Sequence, residues 1–92
     1  MGAMNAGQRA RHHALAAELK SGVQGILELP DGLAFKLPAA SWFAAAEFVS
    51  LESLCCPFLR FRLELAEAGK EVLLSLTGPA GVREFLRAEL GI

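Results

Sequence analysis

No apolar run in this 92-residue chain approaches the roughly 20 residues that a helix needs to span a bilayer. The start of the chain also lacks a charged segment followed by an apolar one, so the sequence predicts no secretory signal. An excess of one charge sign is missing too, because nine basic residues stand against ten acidic ones and the formal net charge is −1. We therefore expect a cytoplasmic protein that binds neither a membrane nor a nucleic acid.

Cysteine is scarce, and the chain has only the adjacent pair Cys55 and Cys56. In a reducing compartment a structural disulfide is not expected. Ordinary disulfides also favour Cα atoms about 5.5–6 Å apart, so a bridge between neighbouring residues would strain the peptide. The motifs C-x-x-C, G-x-S-x-G and H-E-x-x-H are absent. Because no activating base has a fixed spacing from either thiol, an enzyme is less favoured than a binding protein.

What the chain has in quantity is apolar side chains, which make up 53% of its residues. A chain of this length forms one domain with a small core, so residues 1–92 are taken as a single domain. Residues 1–5 are expected to be disordered or a remnant of cloning. The apolar excess favours self-association, and we expect a homodimer or another protein partner.

Hydrophobic spacing and turn residues divide the chain into seven elements. Apolar residues recur at helical spacing from Ala6 to about Ser21. Two alternating stretches then flank an Asp31-Gly32 turn, which predicts a β-hairpin. A second helix is expected from Ser41, as its cap, to the residue before Pro57.

The second half of the chain repeats this layout. Alternating apolar residues on both sides of the turn at 66–70 predict a second hairpin. A last helix is expected to begin at Pro79 and to end at Gly91. The order α-β-β-α-β-β-α predicts an α+β fold, with a four-stranded antiparallel sheet and helices packed on one face. Ile26 and Glu28 are expected on the other, mixed face.

An acidic residue falls where the second helix should face the core. At 100° per residue, Glu52 shares an apolar arc with Phe48, Cys55 and Cys56. Burying an unpaired carboxylate costs several kcal/mol, so a cation, a hydrogen bond with a raised pKa, or a metal ion must compensate it. The first helix directs His12 towards the core.

These four groups form a candidate metal or redox site, made of Cys55, Cys56, Glu52 and His12. Zinc accepts sulfur, nitrogen and oxygen donors, and thiolate pairs also suit Cu(I). Adjacent cysteines in a regular helix diverge by roughly 100°, so the pair can converge only if the helix unwinds before Pro57. The alternative is that both cysteines are small core residues and that Glu52 pairs with His12 or an arginine.

The stretch Glu52-x-x-Cys55-Cys56-Pro57-Phe58-x-x-Phe61 resembles a group of short uncharacterised bacterial proteins that share an E-x-x-C-C-P-F-x-x-F signature. The resemblance covers most of the chain, including Arg9-x-Arg11-His12. It implies no established activity, but it adds weight to the four candidate residues. The leading hypothesis is a domain that binds zinc, copper or another soft or borderline metal ion, or that senses oxidants. The alternative is a non-enzymatic interaction or dimerisation module with structural cysteines.

Overall fold

The structure is a computed structural model that describes residues 4–92. Residues 1–3, part of the segment expected to be disordered or a cloning remnant, lie outside this range. Met4 is buried and Asn5 caps the first helix, so these two residues belong to the fold. No helix in the described range is long and apolar enough to cross a membrane.

Helix α1 spans Ala6–Ser21, as the apolar spacing predicts. Its start is fixed by a capping box, in which the Asn5 side chain accepts from the Gln8 backbone amide and the Gln8 side chain accepts from the Asn5 amide. Leu15 and Leu19 are the buried residues of its inner face.

The first hairpin consists of β1, Gly25–Leu29, and β2, Gly32–Pro38. Leu29 pairs with Gly32, so the turn residues are Pro30 and Asp31 and not the expected Asp31 and Gly32. In the observed register Ile26 lies opposite Phe35 and Glu28 lies opposite Leu33, and both partners are buried residues of the inner face. The expectation for Ile26 and Glu28 was therefore wrong, because both face the helices.

Close packing explains why Gly32 belongs to the sheet. A Cβ atom at this position would lie 1.9 Å from the backbone oxygen of Leu76 on the neighbouring strand. Only glycine permits this approach. Asp31 therefore belongs to the turn, whereas Gly32 is the first residue of β2 and contacts β4.

A single 3₁₀ turn, Ala39–Ser41, leads into helix α2, Trp42–Cys55. Ser41 occupies the N-cap position but its side chain makes no capping hydrogen bond. The second hairpin follows, with β3 at Arg60–Ala66 and β4 at Glu71–Thr77.

The four strands form one antiparallel sheet in the order β1-β2-β4-β3. The central strands β2 and β4 join the two hairpins and direct their buried residues to the same face. These residues are Leu33, Phe35, Leu37, Val72, Leu74 and Leu76. They share one core with buried residues of all three helices, which confirms the predicted α+β fold.

Helix α3 spans Val82–Leu90 and begins three residues later than expected. Gly81 precedes it with a φ of 88°, a left-handed conformation that interrupts any helix started at Pro79. Pro79 instead belongs to a turn, in which the Pro79 carbonyl accepts a hydrogen bond from the Val82 amide. The predicted end at Gly91 is confirmed, and its φ of 69° closes the helix.

Candidate metal centre

Both cysteines lie at the carboxyl end of α2, where the helix stops. Cys55 is its last residue, and Cys56 has left the helix with φ −126° and ψ 72°. The Cys56 amide still donates to the Glu52 carbonyl at 2.8 Å, which anchors the turn. Pro57 follows and disfavours continued helix at the residue before it. The helix thus unwinds just before Pro57, and this is the condition under which the two thiols can converge.

The two thiols meet a carboxylate from another element. The sulfur atoms of Cys55 and Cys56 and a carboxylate oxygen of Glu89 on α3 all lie within 4.8 Å of one another. The Cys56 sulfur is 3.6 Å from Glu89 Oε2. Two ligand atoms bonded to one zinc ion at about 2.0–2.3 Å are at most about 4.6 Å apart. The cluster is therefore close to a size that one ion can bridge.

The other two predicted residues pair with each other. Glu52 is fully buried, as the helical spacing predicts, and its Oε1 lies 2.5 Å from His12 Nε2. The His12 ring stacks on Phe48, with ring centroids 5.0 Å apart, and its side chain is 17% exposed. This is the His12 partnership that the sequence allowed for Glu52. Within residues 4–92, neither Glu52 nor His12 belongs to the group of converging donors.

One oxygen of the buried carboxylate remains unsatisfied. Glu52 Oε2 has no hydrogen-bond partner among the described residues. The neighbouring carboxyl is that of Glu89, where burial and then the nearby Glu52 carboxylate raise the pKa to about 7. A proton on Glu89, or a cation at this point, would compensate the charge that the buried Glu52 brings.

The buried thiol is not activated. Cys56 has no exposed surface, and burial raises its pKa well above the usual value for cysteine. The hydrogen bond to Cys55 and the charges of Glu52 and Glu89 act in the same direction. Reactive thiols need the opposite, namely a lowered pKa and access to solvent. Without an ion, Cys56 is therefore a neutral and protected thiol.

Glu89 is the member of the cluster that sequence reasoning missed. It lies 33 residues beyond Cys56, so no local motif connects the two. A signal existed, however, because the apolar stripe of α3 runs through Val82, Phe85 and Leu86 to Leu90. Glu89 follows Phe85 by four residues and Leu86 by three, which puts it on that inner stripe. Glu89 thus has the same helical spacing from apolar residues that marks Glu52 as inward-facing on α2.

The arrangement thus joins two sulfur donors and one oxygen donor from two helices, beside a buried histidine–carboxylate pair. Such a mixed donor set fits a borderline ion better than a hard one. Comparisons with protein-family models, with curated proteins and with solved structures found no match to this chain.

Proposed function

We propose that this protein binds one zinc ion, or another soft or borderline metal ion such as Cu(I), through Cys55, Cys56 and Glu89. The observation that carries the proposal is the convergence of three donors from α2 and α3 within 4.8 Å. A carboxylate among the donors favours zinc over Cu(I), which prefers sulfur alone.

Metal binding accounts for the site better than oxidant sensing, the other function that the vicinal pair suggested. The thiol of Cys56 is fully buried and its pKa is raised by that burial, which protects it from oxidants and electrophiles. A metal ion can still bind there, because it displaces the thiol proton as it binds.

The pair of Glu52 and His12 has a supporting role in this proposal. Burial and then the nearby Glu52 carboxylate raise the pKa of the Glu89 carboxyl, so the two carboxyl groups are neighbours. A dication at the cluster would replace the Glu89 proton and would give the unpartnered Glu52 Oε2 an opposite charge nearby. Groups in such positions orient the ligands of a metal and adjust its affinity.

The test is a zinc titration of reduced, metal-free protein in competition with a chromogenic chelator, followed by native mass spectrometry. We expect one zinc per chain in the wild type and none in the double variant Cys55→Ser/Cys56→Ser. Glu89→Gln should weaken binding by at least about tenfold. Glu84→Gln is the matched control, because Glu84 lies on the same helix but outside the group of converging donors. An anaerobic titration with Cu(I) measures the affinity for this second ion, which can then be compared with that for zinc.

Circular dichroism of each variant separates loss of the site from loss of the fold. Equal zinc affinity in the wild type and the folded double variant would rule the proposal out. So would the absence of binding of either ion to the wild type at micromolar concentrations.

A second candidate function, as a homodimerisation or protein-interaction module, is favoured by exposed apolar side chains. Phe43 is 83% exposed and Leu65 is 53% exposed. Aromatic residues such as phenylalanine are enriched at protein interfaces. The same mass spectra report the oligomeric state, and a monomer at micromolar concentration would contradict the homodimer. A reducing compartment such as the cytoplasm suits both candidates, since it keeps the thiols reduced.

A further inference from the structure

A cavity of about 550 Å³ lies between α1, the end of α3 and the inner face of the sheet. Its floor is apolar and is formed by central-strand residues, Phe35, Leu37, Leu74 and Leu76. This volume falls within the range of roughly 300–1,000 Å³ that is typical of small-molecule sites.

Small side chains on α1 keep the space open. Ala16 and Ala17 line the wall at the middle of the helix, where longer apolar residues would reach the sheet. Leu90 and Ile92 close the far side from the end of α3. The cavity is therefore built by the choice of residues on two elements and is open to solvent at its rim, where Ala17 is exposed.

Lys20 provides a positive charge at the rim of the cavity. His13 and Lys20 flank the two alanines at helical spacing, so all four residues share one face of α1. The Lys20 ammonium donates to the Gly91 carbonyl at 3.2 Å. Across residues 4–92 no carboxylate forms an ion pair with Lys20. A ligand with a negative group could therefore pair with Lys20 without displacing another anion.

The Glu89 carboxyl in the cavity wall limits where the negative group of a ligand can lie. Glu89 lines the cavity and contacts Cys56, and His12 lines it beside Glu52. His12 precedes Lys20 by eight residues, or roughly 12 Å along α1. An anionic group should thus lie near Lys20, away from the two carboxyl groups.

We propose that this cavity binds a small organic carboxylate with an aliphatic or aromatic body. Its apolar body lies on Phe35, Leu37, Leu74 and Leu76, and its carboxylate pairs with Lys20 at the rim. This site is distinct from the metal cluster and does not depend on it, although Glu89 contributes to both.

The test is an NMR titration of metal-free protein with octanoate, and with octan-1-ol and octylammonium as neutral and cationic probes of equal chain length. We expect saturable octanoate binding, with shifts at the amides of Ala16, Ala17 and Leu74. Octanol should bind more weakly and octylammonium more weakly still. Lys20→Gln should raise the Kd for octanoate by roughly five- to tenfold and leave that for octanol within twofold.

A cavity-filling variant tests the location. Ala17→Leu should abolish binding of both octanoate and octanol, whereas Ala14→Leu, an exposed position on α1 outside the cavity wall, should change neither. Equal affinities for the three probes, shifts confined to the other sheet face, or full binding by Ala17→Leu would overturn the proposal. Because the protein carries no metal in this titration, failure of the zinc site leaves the outcome unaffected.

Discussion

Adjacent residues of α1 pair with two carboxyl groups of α2 in very different surroundings. Arg11 pairs with Glu47 at 2.8 Å, and both side chains are about half exposed, at 52% and 45%. His12 pairs with Glu52, whose side chain has no exposed surface. Water screens the first pair, whereas it cannot replace the partner of a buried carboxylate. The two pairs therefore provide an internal comparison of burial.

Replacing His12 by alanine should lower the free energy of unfolding by about 3 kcal/mol, because it leaves the buried Glu52 carboxylate without its partner. Arg11→Ala, one residue away, should have a much smaller effect. Urea denaturation of both variants of the metal-free protein measures the difference. Similar small losses in both variants would mean that Glu52 is compensated by Glu89 and not by His12.

At the residue scale, the sequence predicted which polar side chains face inwards, and it did so for a clear physical reason. Helical spacing alone put Glu52 on the inner face of α2, and the same spacing put His12 on the inner face of α1. Spacing could not show that the two would pair with each other, since the contact spans 40 residues. Nor did a local motif join Cys56 to Glu89, which the packing of α3 brings together.

At the scale of elements, one glycine fixes the contact between the central strands. Gly32→Ala should destabilise the protein by about 1–3 kcal/mol, because the added Cβ would collide with the backbone of Leu76 and force β2 and β4 apart. Gly69→Ala is the control, since no atom lies within 4 Å of an added Cβ at this position and only its positive φ opposes the change. Thermal denaturation compares the two. A larger loss for Gly69→Ala would show that backbone conformation, and not the close approach, dominates.

The end of a helix was predictable where a single proline or glycine determined it. Pro57 and Gly91 ended their helices as expected. Two predictions failed where neighbouring signals competed, at Pro30-Asp31-Gly32 and at Pro79 before Gly81. In the hairpin, the close approach of Gly32 to Leu76 decides which residues form the turn. In α3, the left-handed conformation of Gly81 decides where the helix begins. Turn residues alone do not predict either outcome.

For the whole molecule, the Glu89 carboxyl links stability to pH. Its pKa is about 7 in the folded protein, mainly because of burial, against an ordinary value of 4.5. Between these pH values the folded state holds a proton that the unfolded state has lost. The contribution of Glu89 to stability is therefore complete below about pH 4.5 and falls as pH rises towards 7.

The metal-free protein should thus lose stability between pH 5 and pH 7, and Glu89→Gln should flatten this slope, since glutamine stays neutral. Urea denaturation at several pH values measures both slopes. An unchanged slope in Glu89→Gln would assign the pH dependence to another group. Saturating zinc should reverse the trend in the wild type, because ion binding favours the deprotonated donors.

All three helices meet at the cluster and the pair beside it, since α2 and α3 provide the thiols and Glu89, and α1 provides the His12 partner of Glu52. The sheet contributes none of these groups. The nine-residue α3 is the shortest of the helices and is the one that covers the Cys56 sulfur with Glu89. Small elements open locally at a lower free energy than the global core. The labelling rate of Cys56 should therefore report the lifting of α3 while both hairpins stay protected from hydrogen exchange.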